Sequence, residues 1–429
     1  MGTNLQRVCL SIIEKIYNCK FLNEIMENYS CYLNLSNRDK SLVNMTILTL
    51  LRRNGEVEFI IKKFLKKPLK NKHNVIMNIL RLATTQIVYL NIANYSVVND
   101  FVNLVKKIRP GYENLVNGIL RNICRNRPNL IETTQTIKNL PNWIRLGWEK
   151  SLSPTIVKSI SKSLINIPKT DINIKKKAVF KKNWEKELGG KFIFDNILRL
   201  DKTKKIRNLI GYNNGDWWVQ NAAASIPVKV IEKFFFKKND VSVLEVGSSP
   251  GGKTMQLIDA GFNVTALEKS ETRFAKLHEN LQRVNYSCSL MKMDIENFKT
   301  KNNFDCCLLD ISCSASGIVA RKPEILLFNK SVKQLIVDQE NILNKASKLI
   351  KQNGIIVYCV CSLIYEEGEN QIKIFLNKNK KFKKIDLEKY FSKKFDFHFK
   401  NGDIMTLPIN YKNMGGLDGF FISCLQKYE

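Results

Sequence analysis

The sequence is short of the residues that hold metals, cross membranes or staple secreted domains. Only three histidines occur in 429 residues, His73, His278 and His398. The 11 cysteines are scattered, with no pair of C-x-x-C clusters. No metal site is therefore expected. No apolar run approaches the length that spans a bilayer, and no secretory signal is visible. An odd number of cysteines without a signal points to free thiols in a reducing cytosol, most of them small core residues. Acidic residues are also scarce: 39 Asp and Glu stand against 69 Lys and Arg, a formal charge of +30. That excess runs along the whole chain rather than in a tail. A polyanion partner explains it, nucleic acid foremost. A lysine- and asparagine-rich genome composition would raise the same count without function. Gly and Pro are almost absent ahead of Pro110-Gly111.

That last absence lets residues 1–130 form long helices. Apolar residues recur there at spacings of three and four: Val8, Ile12, Ile13 and Ile16; Leu42, Met45, Leu48 and Leu51; Val75, Ile79, Leu82 and Ile87. Ser36 or Asn37 is placed to cap a helix over 38–53. Arg52-Arg53, Lys62-Lys63, Lys66-Lys67 and the span 121–127 give this domain a basic surface, either a solvated face or a docking face for a charged substrate. Residues 131–215 read as a small α+β subdomain, cut into short pieces by Pro141, Pro154 and Pro168. A strand is expected over 170–174, a basic helix over 175–186 and more strands within 178–201. From 216 to 429 strands and helices alternate, which argues for a parallel α/β sheet. Its strands are expected at 241–246, 263–268, 287–294, 304–310, 354–360 and 420–425, with helices at 271–283 and 332–351 and a basic connection over 378–394.

The stretch VSVLEVGSSPGGKT, residues 241–254, is an apolar strand running into a glycine loop and a helix. It supports two readings. Gly247 to Thr254 fits G-x-x-x-x-G-K-[ST], and the apolar strand ending in Asp310 would hold magnesium, which makes a nucleic-acid-dependent ATPase. The other reading is a pocket for S-adenosylmethionine (SAM), whose loop also follows the first strand. Glu268, about 20 residues past the loop, is placed to bind a ribose hydroxyl pair. Asp294 would face the adenine edge of the same pocket. Two such acids favour a nucleoside cofactor over a triphosphate.

Cys313 and Cys361 lie just past the carboxyl ends of two strands expected to be neighbours, where α/β sheets place reactive groups. Cys306 and Cys307 lie inside a strand and read as structural. The first two are thus better nucleophile candidates than the other cysteines. Two thiols, an acid and a SAM pocket suggest one difficult reaction. C5 of a pyrimidine is a poor nucleophile. A thiolate adding to C6 makes an enamine whose C5 attacks a sulfonium methyl; loss of the C5 proton then expels the thiolate.

SSPGGKT, LLDISCSASG with Arg321-Lys322-Pro323-Glu324, and VCSLIYEEGEN together resemble the RNA cytosine-5 methyltransferases. Asp418-Gly419-Phe420-Phe421-Ile422 looks like that family's closing motif, and Gln220-Asn221-Ala222-Ala223-Ala224 like its entry motif. The N-terminal helices, including YENLVNGILRNICRNRP, are similar to the RNA-binding domain of the antitermination factor NusB. The combination resembles the bacterial 16S ribosomal RNA cytosine-5 methyltransferase B family over nearly the whole chain. The resemblance implies a Rossmann-like SAM-dependent α/β domain at 216–429, preceded by an all-α NusB-like RNA-binding domain at 1–130 and a small α+β linker at 131–215. It implies SAM as cofactor and RNA, 16S rRNA above all, as partner, with no membrane, no metal and no obligate protein partner. It implies Cys361, in V-C-S, as nucleophile and Cys313, in S-C-S, as helper of product release. Asp310 would hold the cytosine ring and help protonate it, and Lys253 completes the catalytic set. Gly247, Ser248, Ser249, Pro250, Gly251, Gly252, Lys253, Glu268, Asp294 and Asp310 would line the SAM site. The chain departs from the family pattern with Gly247 for Cys, Ser312 for Pro, Ala315 for Gly, Asn221 for Asp, Glu245 for Asp and Ala320 for Arg. These bear on loop geometry and substrate fit. The intact catalytic set argues against a non-catalytic RNA binder.

Overall fold

The computed structural model describes residues 2–202, 205–236, 238–328 and 331–428. The chain divides into two compact units. One comprises Met1–Leu146, Ser153–Asn166 and Val319–Asn329; the other comprises Gly147–Leu152, Ile167–Ile318 and Lys330–Glu429.

The first unit is helical, with its longest helices at Gly2–Tyr17, Asn37–Phe64, Asn74–Tyr89, Asn94–Ile108 and Glu113–Thr133. Ser36 is the cap of the second of these, its hydroxyl accepting from the Asp39 N–H. That helix runs past the 38–53 span to Phe64, with one non-helical residue at Arg53. Its buried stripe is Val43, Ile47, Leu50, Leu51 and Val57. Of the expected Leu42, Met45, Leu48 and Leu51, only Leu51 is buried, and Met45 is 48% exposed. Two adjacent rows of this helix are apolar, so periodicity alone puts the phase one residue out. Arg52, expected on the surface, is buried and donates from Nη2 to the Ala320 carbonyl at 3.2 Å. Arg53 is paired with Glu56 and lies over the Tyr89 ring. Lys62, Lys63, Lys66, Lys67, Arg121 and Arg125 are exposed, as their charge demands.

The second unit holds two sheets. The smaller is antiparallel, with order β2-β3-β1-β4, made from β1 (Asp171–Ile174), β2 (Gly190–Phe194), β3 (Ile197–Leu200) and β4 (Trp217–Val219). A buried ion pair ties it together: Arg199 Nε and Nη2 reach the two Asp171 oxygens at 2.6 and 2.9 Å. Arg199 Nη1 also donates to the carbonyls of Met414 and Gly416. The helix expected over 175–186 is two short ones, Lys176–Val179 and Trp184–Leu188. The Asn183 side chain caps the second, and a side-chain cap starts a new helix rather than continuing one.

The larger sheet contains β5 (Ser242–Val246), β6 (Asn263–Leu267), β7 (Ser289–Met291), β8 (Phe304–Asp310), β9 (Ile350–Val360), β10 (Phe382–Ile385), β11 (His398–Lys400), β12 (Asp403–Thr406) and β13 (Phe420–Lys427). Its order is β11-β12-β13-β9-β8-β5-β6-β7, with β10 paired to β13. Strands β5 to β9 are mutually parallel, and β13 joins β9 antiparallel. Val243, Leu308, Val357 and Ile422 are buried in its core, as apolar central strands require. This is the expected Rossmann-like α/β sheet. The chain builds β6 and β7 on one side of β5, then β8 and β9 on the other. The switch point between β5 and β8 is where such open sheets bind ligands.

Three details differ from the sequence reading. Strand β7 stops at Met291, because Asp294 caps a short 3-10 turn by accepting from the Glu296 N–H. Helix Lys333–Ser347 ends early, since Ile350 already belongs to β9. The basic connection carries β10 and a helical turn, Glu388–Phe391. Strands β10 to β12 mix Lys, His and Asp with apolar residues and so give no clean strand pattern.

Candidate active site at the switch point

Gly247 ends β5 with φ +79, and a Cβ there would stand 2.2 Å from the Asp310 carbonyl oxygen. Only glycine permits this approach between the ends of β5 and β8. The N–H groups of Gly247 and Ser248 both donate to the Leu267 carbonyl, at 3.0 and 3.2 Å. Lys253, on the helix Gly252–Asp259, is buried with its Nζ 2.6 Å from Asp310 Oδ2. Burial works against its charge, but the Asp310 carboxylate outweighs that and holds the ammonium above its ordinary value. A phosphate cradle needs its loop N–H groups and lysine free for the anion. Here the lysine and the N–H groups of Gly247 and Ser248 are engaged within the protein, so the ATPase reading is not supported.

Beside the loop lies a cleft lined by Gly247, Glu268, Asp294 and Asp310, with Leu267, Ile295 and Ile311 as apolar walls. The Glu268 carboxylate is buried and fixed: it accepts from Ser270 N at 3.0 Å and Ser249 N at 3.4 Å, and pairs with Arg273 at 3.4 Å. Asp294 is paired with Lys269 at 3.1 Å. An apolar slot bounded by a fixed carboxylate has the chemistry of a nucleoside site, so the residues present fit SAM. Ser248, Ser249, Pro250, Gly251 and Gly252 are not among the residues lining the cleft. They hold the loop instead: Ser249 Oγ donates to the Arg273 carbonyl at 2.7 Å, and Asn280 Nδ2 donates to the Pro250 carbonyl at 2.8 Å.

Glu245, one position before the end of β5, is wholly buried, and its carboxylate oxygens have no hydrogen-bond partner among the described residues. Burial pushes its carboxyl up to about 8, with Lys253 pulling the other way.

Strands β8 and β9 are adjacent, Asp310 standing opposite Cys359. The chain leaves them toward Cys313 and Cys361, whose sulfurs are 3.4 Å apart. Both thiols are half-buried, whereas Cys306, Cys307, Cys359 and Cys424 are buried, and burial holds those four thiols up. The Cys313 thiol is raised well above its ordinary value, by its contact with the Cys361 sulfur first and by burial second. The structure thus gathers Lys253, Asp310, Cys313 and Cys361 at the carboxyl ends of neighbouring strands.

Sequence reasoning missed the polar groups that support the two thiols. Ser314, Ser316, Gln339, Ser362 and Glu367 are all buried. Ser316 Oγ accepts from Trp148 Nε1 at 3.2 Å and from Leu363 N at 3.2 Å. The one signal was the position of Glu367, six residues past Cys361 in the EEGEN run.

Comparison with known proteins follows the same division. Residues 234–426 match the family model described as 16S rRNA methyltransferase RsmB/F, and residues 5–125 match the NusB family. The ribosomal RNA small subunit methyltransferase B of Proteus mirabilis is 28% identical over 362 residues, 80% of this chain and 85% of that protein. The protein of the same name from Photorhabdus laumondii is 26% identical over 416 residues, 92% of each chain. Among solved structures, that of PH0851 is similar with a TM-score of 0.74 at 19% identity, covering 100% of this chain and 99% of that one. NSun6 from Pyrococcus horikoshii with SFG is similar with a TM-score of 0.56 at 18% identity, over 68% of this chain and 99% of that one. These two similarities are of fold.

The buried Glu245 gives a pH signature. Its carboxyl keeps its proton to about pH 8 when folded and loses it near 4.5 when unfolded. Between those values only the folded state binds the proton, so stability falls as pH rises through that window. Glu245→Gln removes the titrating group. Its melting temperature should therefore gain on that of the native chain between pH 5 and pH 8, by on the order of 1–4 kcal/mol in stability. A difference that stays constant with pH in thermal melts would show that this carboxyl titrates normally.

Proposed function

We propose, from the membership of residues 234–426 in the 16S rRNA methyltransferase RsmB/F family and of residues 5–125 in the NusB family, that this chain methylates C5 of a cytosine in 16S rRNA through a covalent bond from Cys361 to C6. It is a SAM-dependent ribosomal RNA methyltransferase. The finer reading is carried by one observation, the 3.4 Å pairing of the Cys313 and Cys361 sulfurs beside Asp310.

SAM supplies an electrophilic methyl group. Glu268 would hold its ribose hydroxyls and Asp294 its adenine edge, with Gly247 lining that side of the cleft. Asp310, anchored by Lys253, would hold the cytosine ring and, as an anion, stabilise the proton that the ring takes up from solvent as it gains electrons and gives back when the C6–S bond breaks. Cys361 attacks C6 as a thiolate, and the ring becomes an enamine nucleophilic at C5. The sulfur contact that keeps Cys313 protonated is lost when Cys361 becomes a neutral thioether. Cys313 is then free to ionise and accept the C5 proton. The C6–S bond breaks, its electron pair returns to Cys361, and the ring regains its double bond.

Residues 1–130 act as the RNA-docking domain, 131–215 as the linker and 216–429 as the catalytic domain. Helices Asn94–Ile108 and Glu113–Thr133 share a groove carrying Tyr95, 85% exposed, beside Arg121 and Arg125. A free aromatic face next to two guanidinium groups suits unpaired RNA, by stacking and phosphate contact.

Three outcomes follow. Glu268→Ala should weaken SAM binding by about 1–3 kcal/mol, since ribose hydroxyls lose a charged acceptor. Calorimetry returning native affinity from a normally folded variant would remove Glu268 from the site. RNA affinity should fall steeply with salt, and Arg121→Ala or Arg125→Ala should lower the log–log slope by about one unit each. An unchanged slope would place the RNA elsewhere. Finally, the two cysteines should fail differently. Cys361→Ala should abolish methylation and form no adduct, whereas Cys313→Ala should attack, transfer the methyl and stall as a protein–RNA adduct stable on denaturing gels. The reverse pattern would exchange their roles, and full activity in both variants would end the covalent reading.

A further inference from the structure

Glu367 is wholly buried, and no part of the chemistry above uses it. Its carboxylate accepts four hydrogen bonds. Oε1 takes the Ser314 N–H at 2.8 Å and Gln339 Nε2 at 3.2 Å. Oε2 takes the hydroxyls of Ser314 at 2.5 Å and Ser362 at 2.6 Å. Ser314 follows Cys313 in the chain, and Ser362 follows Cys361. One side chain therefore grips the residues adjacent to both thiols.

The grip is itself held. Gln339 Nε2 also donates to the Ser312 carbonyl at 3.0 Å, on the other flank of Cys313. The Tyr358 hydroxyl donates to the Glu367 carbonyl at 2.6 Å. Ser316 and Ser362 hydroxyls stand 3.0 Å apart, and the Gly317 N–H donates to the Cys361 carbonyl at 3.0 Å. A buried carboxyl group this fully hydrogen-bonded fixes its donors closely, because each unmade bond would leave a buried polar group unpaired.

We propose that Glu367 is a positioning residue for the two-cysteine reaction: its carboxylate clamps the loop carrying Cys313 to the loop carrying Cys361 and sets the sulfur-to-sulfur spacing that product release needs. The proposal rests on the covalent reading above. Attack on C6 needs Cys361 alone, with room to move toward the base. Proton removal from C5 needs Cys313 placed against the adduct that Cys361 has formed, so the relative position of the two loops matters most at that second step.

The test is Glu367→Gln, which keeps the shape but supplies an NH2 group where two donors now converge. With RNA and SAM saturating, single-turnover kinetics should show adduct formation within a few-fold of native and adduct release slowed about hundredfold, the scale of a misplacement near 1 Å. SAM and RNA affinities should not change. In a Cys313→Ala background the same substitution should slow release no further, because Glu367 acts through Cys313. Release at the native rate, or an equal further loss in that background, overturns the proposal. Ser314→Ala removes one hydroxyl from the clamp without altering Glu367 itself. It should give the same selective defect in release, and decides the matter should Glu367→Gln fail to fold. Failure of the covalent reading would look different: Cys361→Ala would stay active and no variant would accumulate adduct.

Discussion

The Lys253–Asp310 ion pair is the interaction on which the rest of the site depends. It joins the first helix after β5 to the last residue of β8, across the point where the sheet changes direction. A lysine taken out of water needs a charged partner, and the partner is thereby held in place. Asp310 is then a fixed carboxylate lining the cleft beside the glycine loop, three residues ahead of Cys313. The same pair engages the lysine that a phosphate would need, so the ATPase reading of this loop is not supported. Glu245, buried nearby and unpaired, can stay in the core because burial keeps it protonated near neutral pH.

From Asp310 the chain passes directly to Cys313, and from Cys359, its neighbour across the sheet, directly to Cys361. Two adjacent parallel strands therefore deliver Asp310 and two thiols to one place, which no sequence-local motif could do. Loops after strand ends have conformational freedom. Buried polar residues restrain it: Glu367 joins the loops from below, while Gly317 and Gly419 pack backbone to backbone, with the Gly419 N–H donating to the Gly317 carbonyl at 2.8 Å. A Cβ on Gly317 would stand 2.0 Å from the Gly419 carbonyl oxygen, so this contact exists only between glycines.

Much of this was legible in the sequence, and the limits have physical causes. Strand β8 and helix Glu271–Arg283 were readable to the residue, because an apolar run ending in Asp and an amphipathic segment bounded by Ser270 have few alternatives. Cys313 and Cys361 stood out because they follow apolar strands, and strand ends are where sheets expose groups. The phase of helix Asn37–Phe64 was not readable, since Leu42, Met45 and Leu48 are as apolar as Val43, Ile47 and Leu50. Asp294 was placed at a strand end although it caps a turn, because short acids serve both roles. Glu367 was hidden for a deeper reason. A glutamate in an acidic run reads as surface, and only the fold reveals four donors converging on it.

Three of the unusual residues, Gly247, Asn221 and Ala315, lie where neighbouring groups absorb them. Gly247 stands where a side chain is usual, and the loop here has closed until a Cβ would meet the Asp310 carbonyl. Asn221 donates from Nδ2 to Asp171 Oδ2 at 3.3 Å, and its own oxygen accepts from the Ala223 N–H. A carboxylate there would face the Asp171 carboxylate already committed to Arg199, so the amide is the better fit in this setting. Ala315 keeps φ at +59, a conformation easier for glycine, at a cost on the order of 1 kcal/mol. That cost is borne by a loop tied down on both sides, by Ser314 to Glu367 and by Gly317 to Cys361. Replacements of this kind change how the loops are supported. They leave in place the two sulfurs, the Asp310 carboxylate and the Lys253 ammonium.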